Sequence, residues 1–93
     1  MRIEATKAFR RLMKKQDAEA RLRLFEAMNL AAVTFGQPHL HSGRGIRELG
    51  KRGMYECRAS IDSRLLFKRE ADVLLFEFEG THDEVRAWLK NRS

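Results

Sequence analysis

The chain contains a single cysteine, Cys57, so no disulfide can form within it. One thiol also excludes a cysteine-rich metal cage and fits a reducing compartment. Proline is as scarce: the one copy is Pro38. Long apolar runs are missing too. The longest, such as LAAV (30–33) and VLLF (73–76), span about four residues, against the ~20 that a membrane helix needs. The first residues lack the apolar core of a secretory signal. These absences predict a soluble cytoplasmic protein with no membrane partner.

What is abundant is positive charge. Nineteen Lys and Arg stand against 13 Asp and Glu, a formal net charge of +6 on 93 residues. Such an excess on a small body attracts polyanions, nucleic acid above all. The length fits one domain, residues 1–93, and a hydrophobic content of 43% supplies one small core.

The hydrophobic period changes midway. Residues 2–4 (RIE) make a short candidate strand. Phe9, Leu12 and Met13 then share one helical face. Asp17 is a candidate N-cap for a second helix, whose stripe reads Leu22, Phe25, Met28 and Ala32, widened by Leu24 and Ala31. Gly36 and Pro38 end that helix, and GQPHLHSGRG (36–45) reads as the main loop. Alternation follows. Ile46–Leu49 is a short candidate strand before the turn GKRG (50–53). Met54–Ala59, Arg64–Lys68 and Val73–Phe78 are strands joined at SIDS (60–63) and READ (69–72). A last helix carries Val85, Trp88 and Leu89 on one face.

The predicted architecture is α+β, with two N-terminal helices packed on a small antiparallel sheet and a short C-terminal helix. Alternation puts Leu65 and Phe67 under the helices, with Leu74, Phe76 and Phe78 as the neighbouring core row. Arg64 and Lys68 fall on the opposite, open face. Arg58, Arg44, Arg47, Lys51 and Arg52 lie in or beside the same region. Several guanidiniums on one sheet face make a phosphate-binding surface.

Thr81-His82-Asp83-Glu84 matches the capping box S/T-x-x-E, which places His82 at the first helical position. Two readings of His82 stand. It is a solvated first-turn side chain, or it is an imidazole beside an arginine-rich face that exchanges a proton with a reacting group. His39 and His41 lie in the long loop, and their spacing with Cys57 fits no closed zinc pattern. Tyr55 either stacks on a base or packs the sheet, and packing is favoured. Trp88 reads as core and Cys57 as a buried structural thiol.

The stretch GMYECRASIDSRLLFKREADVLLFEFEGTHDEV (53–85) resembles the RelE/ParE superfamily of small bacterial toxins. YECRASIDSRLLF is similar to the family pattern of Tyr, an apolar residue and Arg, a short hairpin, then Arg and an apolar triplet. FEGTHDEV is similar to the YafQ branch, where Gly-Thr-His follows the last strand. The resemblance implies a RelE-like fold and a toxin of a type II toxin–antitoxin system. It further implies a ribosome-dependent mRNA endonuclease neutralised by an acidic antitoxin. The implied reaction is attack of a ribose 2′-hydroxyl on the adjacent phosphate, with no metal and no small-molecule cofactor. By matching position, His82 corresponds to the catalytic histidine and Arg64 to the phosphate-stabilising arginine. Lys51, Arg52 and Arg58 would bind RNA phosphates, His39 or His41 would match an upstream histidine, and Asp62 lies where an accessory acid–base residue would be sought. Two alternatives remain open at this stage: a ParE-like inhibitor of DNA gyrase, and a catalytically silent RNA-binding module of the same fold.

Overall fold

The computed structural model describes residues 1–37, 45–50 and 53–91. Among them the elements run β1 (Arg2–Ala5), α1 (Lys7–Lys14), α2 (Ala18–Thr34), β2 (Arg47–Glu48), β3 (Met54–Ser60), β4 (Ser63–Glu70), β5 (Val73–Gly80) and α3 (His82–Asn91). The strands form one sheet in the order β1-β5-β4-β3-β2. Strands β2, β3, β4 and β5 pair with one another antiparallel, as alternation and short turns predict. Strand β1 joins the edge of β5 in parallel, from Arg2 opposite Val73 to Ala5 opposite Phe76. A weak strand sequence is enough there, because the β5 edge offers a ready ladder of unpaired backbone groups.

Two side-chain caps start the helical hairpin. Phe9 N donates to Thr6 Oγ1 at 3.1 Å, and Ala20 N donates to Asp17 Oδ1 at 2.8 Å. Helix α2 stops at a turn with Phe35 at φ −58°, ψ 128° and Gly36 at φ 83°, closed by Gln37 N donating to the Thr34 carbonyl at 3.0 Å. That is a type II turn, whose third position requires the positive φ that glycine tolerates.

Helices α1 and α2 cover one sheet face. Phe9, Met13, Leu24, Met28, Ala31 and Ala32 pack there against Cys57, Leu65, Phe67, Leu74 and Phe76. The buried stripe of α2 differs from the one its sequence suggests. Leu22 is 58% exposed and Phe25 50% exposed, while Leu24, Met28 and Ala31 are buried. Apolar residues encircle much of this helix, so two stripes compete and share Met28 and Ala32. The stripe holding the alanines lets the helix approach the sheet closely.

Helix α3 lies on the other face, with Val85, Trp88 and Leu89 against Met54, Leu66 and Phe78. The face expected to be open is therefore roofed over much of its area. Burial on both sides explains the unbroken run Leu65-Leu66-Phe67, all three fully buried. Phe78 departs from the expected core row. Phe67 pairs with Phe76 but Leu66 pairs with Phe78, so Glu77 is an extra residue in β5. This bulge shifts the alternation by one and turns Phe78 toward α3, where its ring stacks on Trp88 at 5.8 Å.

The β4–β5 hairpin turns at Ala71, a non-glycine residue with φ 53°. A Cβ is strained in this left-handed region. Ala71→Gly is expected to raise stability by about 0.5–1 kcal/mol, read as a higher urea midpoint with an unchanged slope.

Candidate functional site

The site begins where β5 ends. Gly80 is buried and opposes Arg64 across the β4–β5 ladder, and Arg64 opposes Arg58 across β3–β4. One row of the sheet thus reads Arg58, Arg64, Gly80. Two residues on, α3 opens with a reciprocal cap. Thr81 N donates to Glu84 Oε1 at 2.8 Å, and Glu84 N donates to Thr81 Oγ1 at 3.2 Å. The capping box read from the sequence is therefore formed, and it fixes His82 in the first turn.

Gly80 is required by space. A Cβ at this position would lie 2.8 Å from Glu84 Oε1, and 3.0 Å from both Glu84 Cβ and Phe78 Cε2. Gly80→Ala is expected to displace the capping carboxylate and cost about 1–3 kcal/mol. A thermal melt reads the loss, and amide exchange at Thr81 shows whether the cap has opened.

The row ends in a cleft of about 670 Å³. One wall is apolar: Ala27, Leu30 and Ala31 of α2, with Ile46. The other carries Arg47, Arg58, Arg64 and His82, with Cys57 at its base. His82 and Arg64 line the same cavity. Arg47, Arg58 and His82 are exposed, whereas Arg64 is partly buried.

The groups meet through Glu56, a residue that the sequence reading gave no role. Glu56 is 3% exposed. Its Oε1 accepts from Arg47 Nε at 2.8 Å and from Arg64 Nη1 at 3.0 Å. The strand sequence alone does not mark it: Glu56 shares a face of β3 with Met54 and Arg58, and only the pairing sets it directly opposite Arg47 and diagonal to Arg64.

Cys57 is buried, and desolvation, with Glu56 adding repulsion, pushes its thiol up to about 12. It is a protonated, inert thiol at neutral pH. The raised value stabilises the fold fully below the ordinary thiol value of 9.0 and is lost as pH rises toward 12. Wild type is therefore expected to lose more stability than Cys57→Ala between pH 8 and pH 11, measured by urea titration at each pH. Tyr55 packs rather than presents its ring: it lies edge-on to Phe35 at 4.8 Å and stacks on Phe67 at 5.8 Å.

Other expected residues fall elsewhere. Lys68 sits toward the far end of β4, about 13 Å along the strand from Arg64, in register with Met54 and Leu75. Asp62 is at the β3–β4 turn and lines a separate cleft with Gln16, Ser63 and Glu79 on the α1–α2 side. His39, His41, Arg44, Lys51 and Arg52 lie outside the described residues.

No protein-family model and no curated protein matches the chain. Solved structures do. YafQ from E. coli strain BL21(DE3) is 21% identical, with 91% of this chain and 98% of that chain covered and a TM-score of 0.61. The RelB–RelE antitoxin–toxin complex from Methanococcus jannaschii gives 14% identity, coverage of 91% and 96%, and a TM-score of 0.67. The YoeB–YefM complex from Staphylococcus aureus gives 14% identity, coverage of 88% and 97%, and a TM-score of 0.62. At these identities the likeness is one of fold.

Proposed function

Because the chain has the RelE-type toxin fold, we propose that it is the toxin of a bacterial type II toxin–antitoxin system and cleaves messenger RNA on the ribosome. The observation that carries this reading is the single cleft lined by His82 together with Arg47, Arg58 and Arg64. The partners are an acidic antitoxin, the ribosome and its message, and the compartment is the cytoplasm. Net charge of +6 suits polyanionic partners. Solved relatives of the same fold include complexes described as antitoxin–toxin. Among the described residues no helix is long and apolar enough to cross a membrane.

The chemistry proposed is the one that the resemblance implies, and the cleft holds groups suited to it. A ribose 2′-oxygen forms a bond to the adjacent phosphorus, and the P–O5′ bond breaks. The products are a 2′,3′-cyclic phosphate and a 5′-hydroxyl. Two protons move: His82 takes the one from the 2′-hydroxyl or delivers the one to the leaving O5′, and solvent water makes the other transfer. Arg64, Arg47 and Arg58 bear the charge that builds on the phosphorane.

Controlled expression in bacteria tests the reading. Wild type should arrest growth and leave new message ends within codons, and Arg64→Ala should relieve both. A protein that blocks supercoiling by purified gyrase and leaves message intact would overturn it. So would salt-sensitive RNA binding with unchanged RNA ends on ribosomes.

A further inference from the structure

We propose that Glu56 is a positioning residue for this cleft, its buried carboxylate holding Arg47 and Arg64 together so that both guanidiniums face one phosphate group. The inference rests on the cleft's being an RNA-phosphate site.

Three observations carry it. First, the two ion pairs converge on one atom, Glu56 Oε1, at 2.8 and 3.0 Å. The pairs tie together three strands, since Arg47 is on β2, Glu56 on β3 and Arg64 on β4. Second, Arg64 is opposed directly by Arg58. Like charges facing across a ladder repel, and Glu56 is the anion that lets the cluster exist. Third, stability alone does not call for a carboxylate there. Its neighbours on the same sheet face, Met54 and Leu66, are apolar and buried. An apolar residue would suit that environment, and a buried ion pair often stabilises no more than one.

The electrostatics also leave the cleft able to bind. Arg47, Arg58 and Arg64 carry three positive charges and Glu56 one negative, so the cluster stays cationic. A guanidinium has five N–H donors, and Arg47 and Arg64 each spend one on Glu56 Oε1. The remaining donors have their direction fixed by the pair. Preorganised donors of this kind cost little reorganisation when phosphate charge develops.

The test uses Glu56→Gln, which keeps the shape and an acceptor oxygen but removes the charge. Inorganic phosphate is titrated into the protein while the side-chain Nε–Hε signals of Arg47 and Arg64 are followed by NMR. In wild type the two signals should titrate together. In Glu56→Gln they should separate, with phosphate binding weakened about tenfold or more. Circular dichroism and the melting curve report whether the variant is folded. If it is not, Glu56→Met supplies the same reading in an apolar background. A double-mutant cycle with Arg64→Ala should be strongly non-additive. Unchanged, joint titration of both arginines in the Glu56 variants would overturn the inference, as would additive effects in the cycle. Failure of the functional reading looks different: message stays intact on ribosomes with wild type, while the coupled arginine titration persists.

Discussion

His82→Ala is expected to lower the rate of message cleavage on programmed ribosomes by about 10²–10⁴-fold. Removing a proton-transfer group has an effect of that size because the barrier rises while binding is untouched. Stability should barely change. His82 is exposed, and the cap that starts its helix is made by Thr81 and Glu84 rather than by the imidazole. The loss should appear in the single-turnover rate and leave the affinity for a 2′-deoxy-substituted RNA intact. A substrate with sulfur in place of the leaving O5′ assigns the proton's direction. Thiolate departs without protonation, so this substrate restores the variant if His82 is the acid and not if it is the base. A His82→Ala protein that cleaves within a few-fold of wild type would remove the histidine from the mechanism.

Phe67→Ala is expected to cost about 3–5 kcal/mol, out of the ~5–15 kcal/mol that holds a domain together. The ring is fully buried in the middle strand. It contacts Phe76 at 5.0 Å, Tyr55 at 5.8 Å and Phe35 at 6.2 Å between centroids. Truncation therefore removes its own burial and three aromatic contacts, and a cavity remains because strand β4 is fixed by ladders on both sides. The melting temperature should fall by about 15 °C or more. A fall of only a few degrees would mean that the surrounding rings can close the gap.

The α+β frame was legible because its signals are local. Asp17 and Thr81 cap the helices that they were expected to cap. The turns at Ile61–Asp62 and Ala71–Asp72 fall inside SIDS and the end of READ. What the sequence hides depends on distant partners. Phe78 keeps perfect alternation with Leu74 and Phe76, and only pairing with β4 reveals that Glu77 is an extra residue. Leu22 and Phe25 lose the contest for burial because the sheet selects the alanine stripe of α2. The cleft was half legible. His82 and Arg64 were reached through residue type and resemblance. Glu56 was not, since a glutamate in a strand declares nothing until the arginines of β2 and β4 close on it.

Helix α3 has a further consequence for how the cleft fails. It is a ten-residue helix, shorter than a helix that holds itself together in water, so it exists by docking Val85, Trp88 and Leu89 on the sheet. The arginines sit on β2, β3 and β4, inside the sheet's own ladders. The histidine thus rides on an element held by docking, and the arginines on strands held by their own ladders. On the proposed reading, undocking of α3 would leave a cleft that captures an anion and lacks the group that moves a proton, so cleavage would stop before binding did.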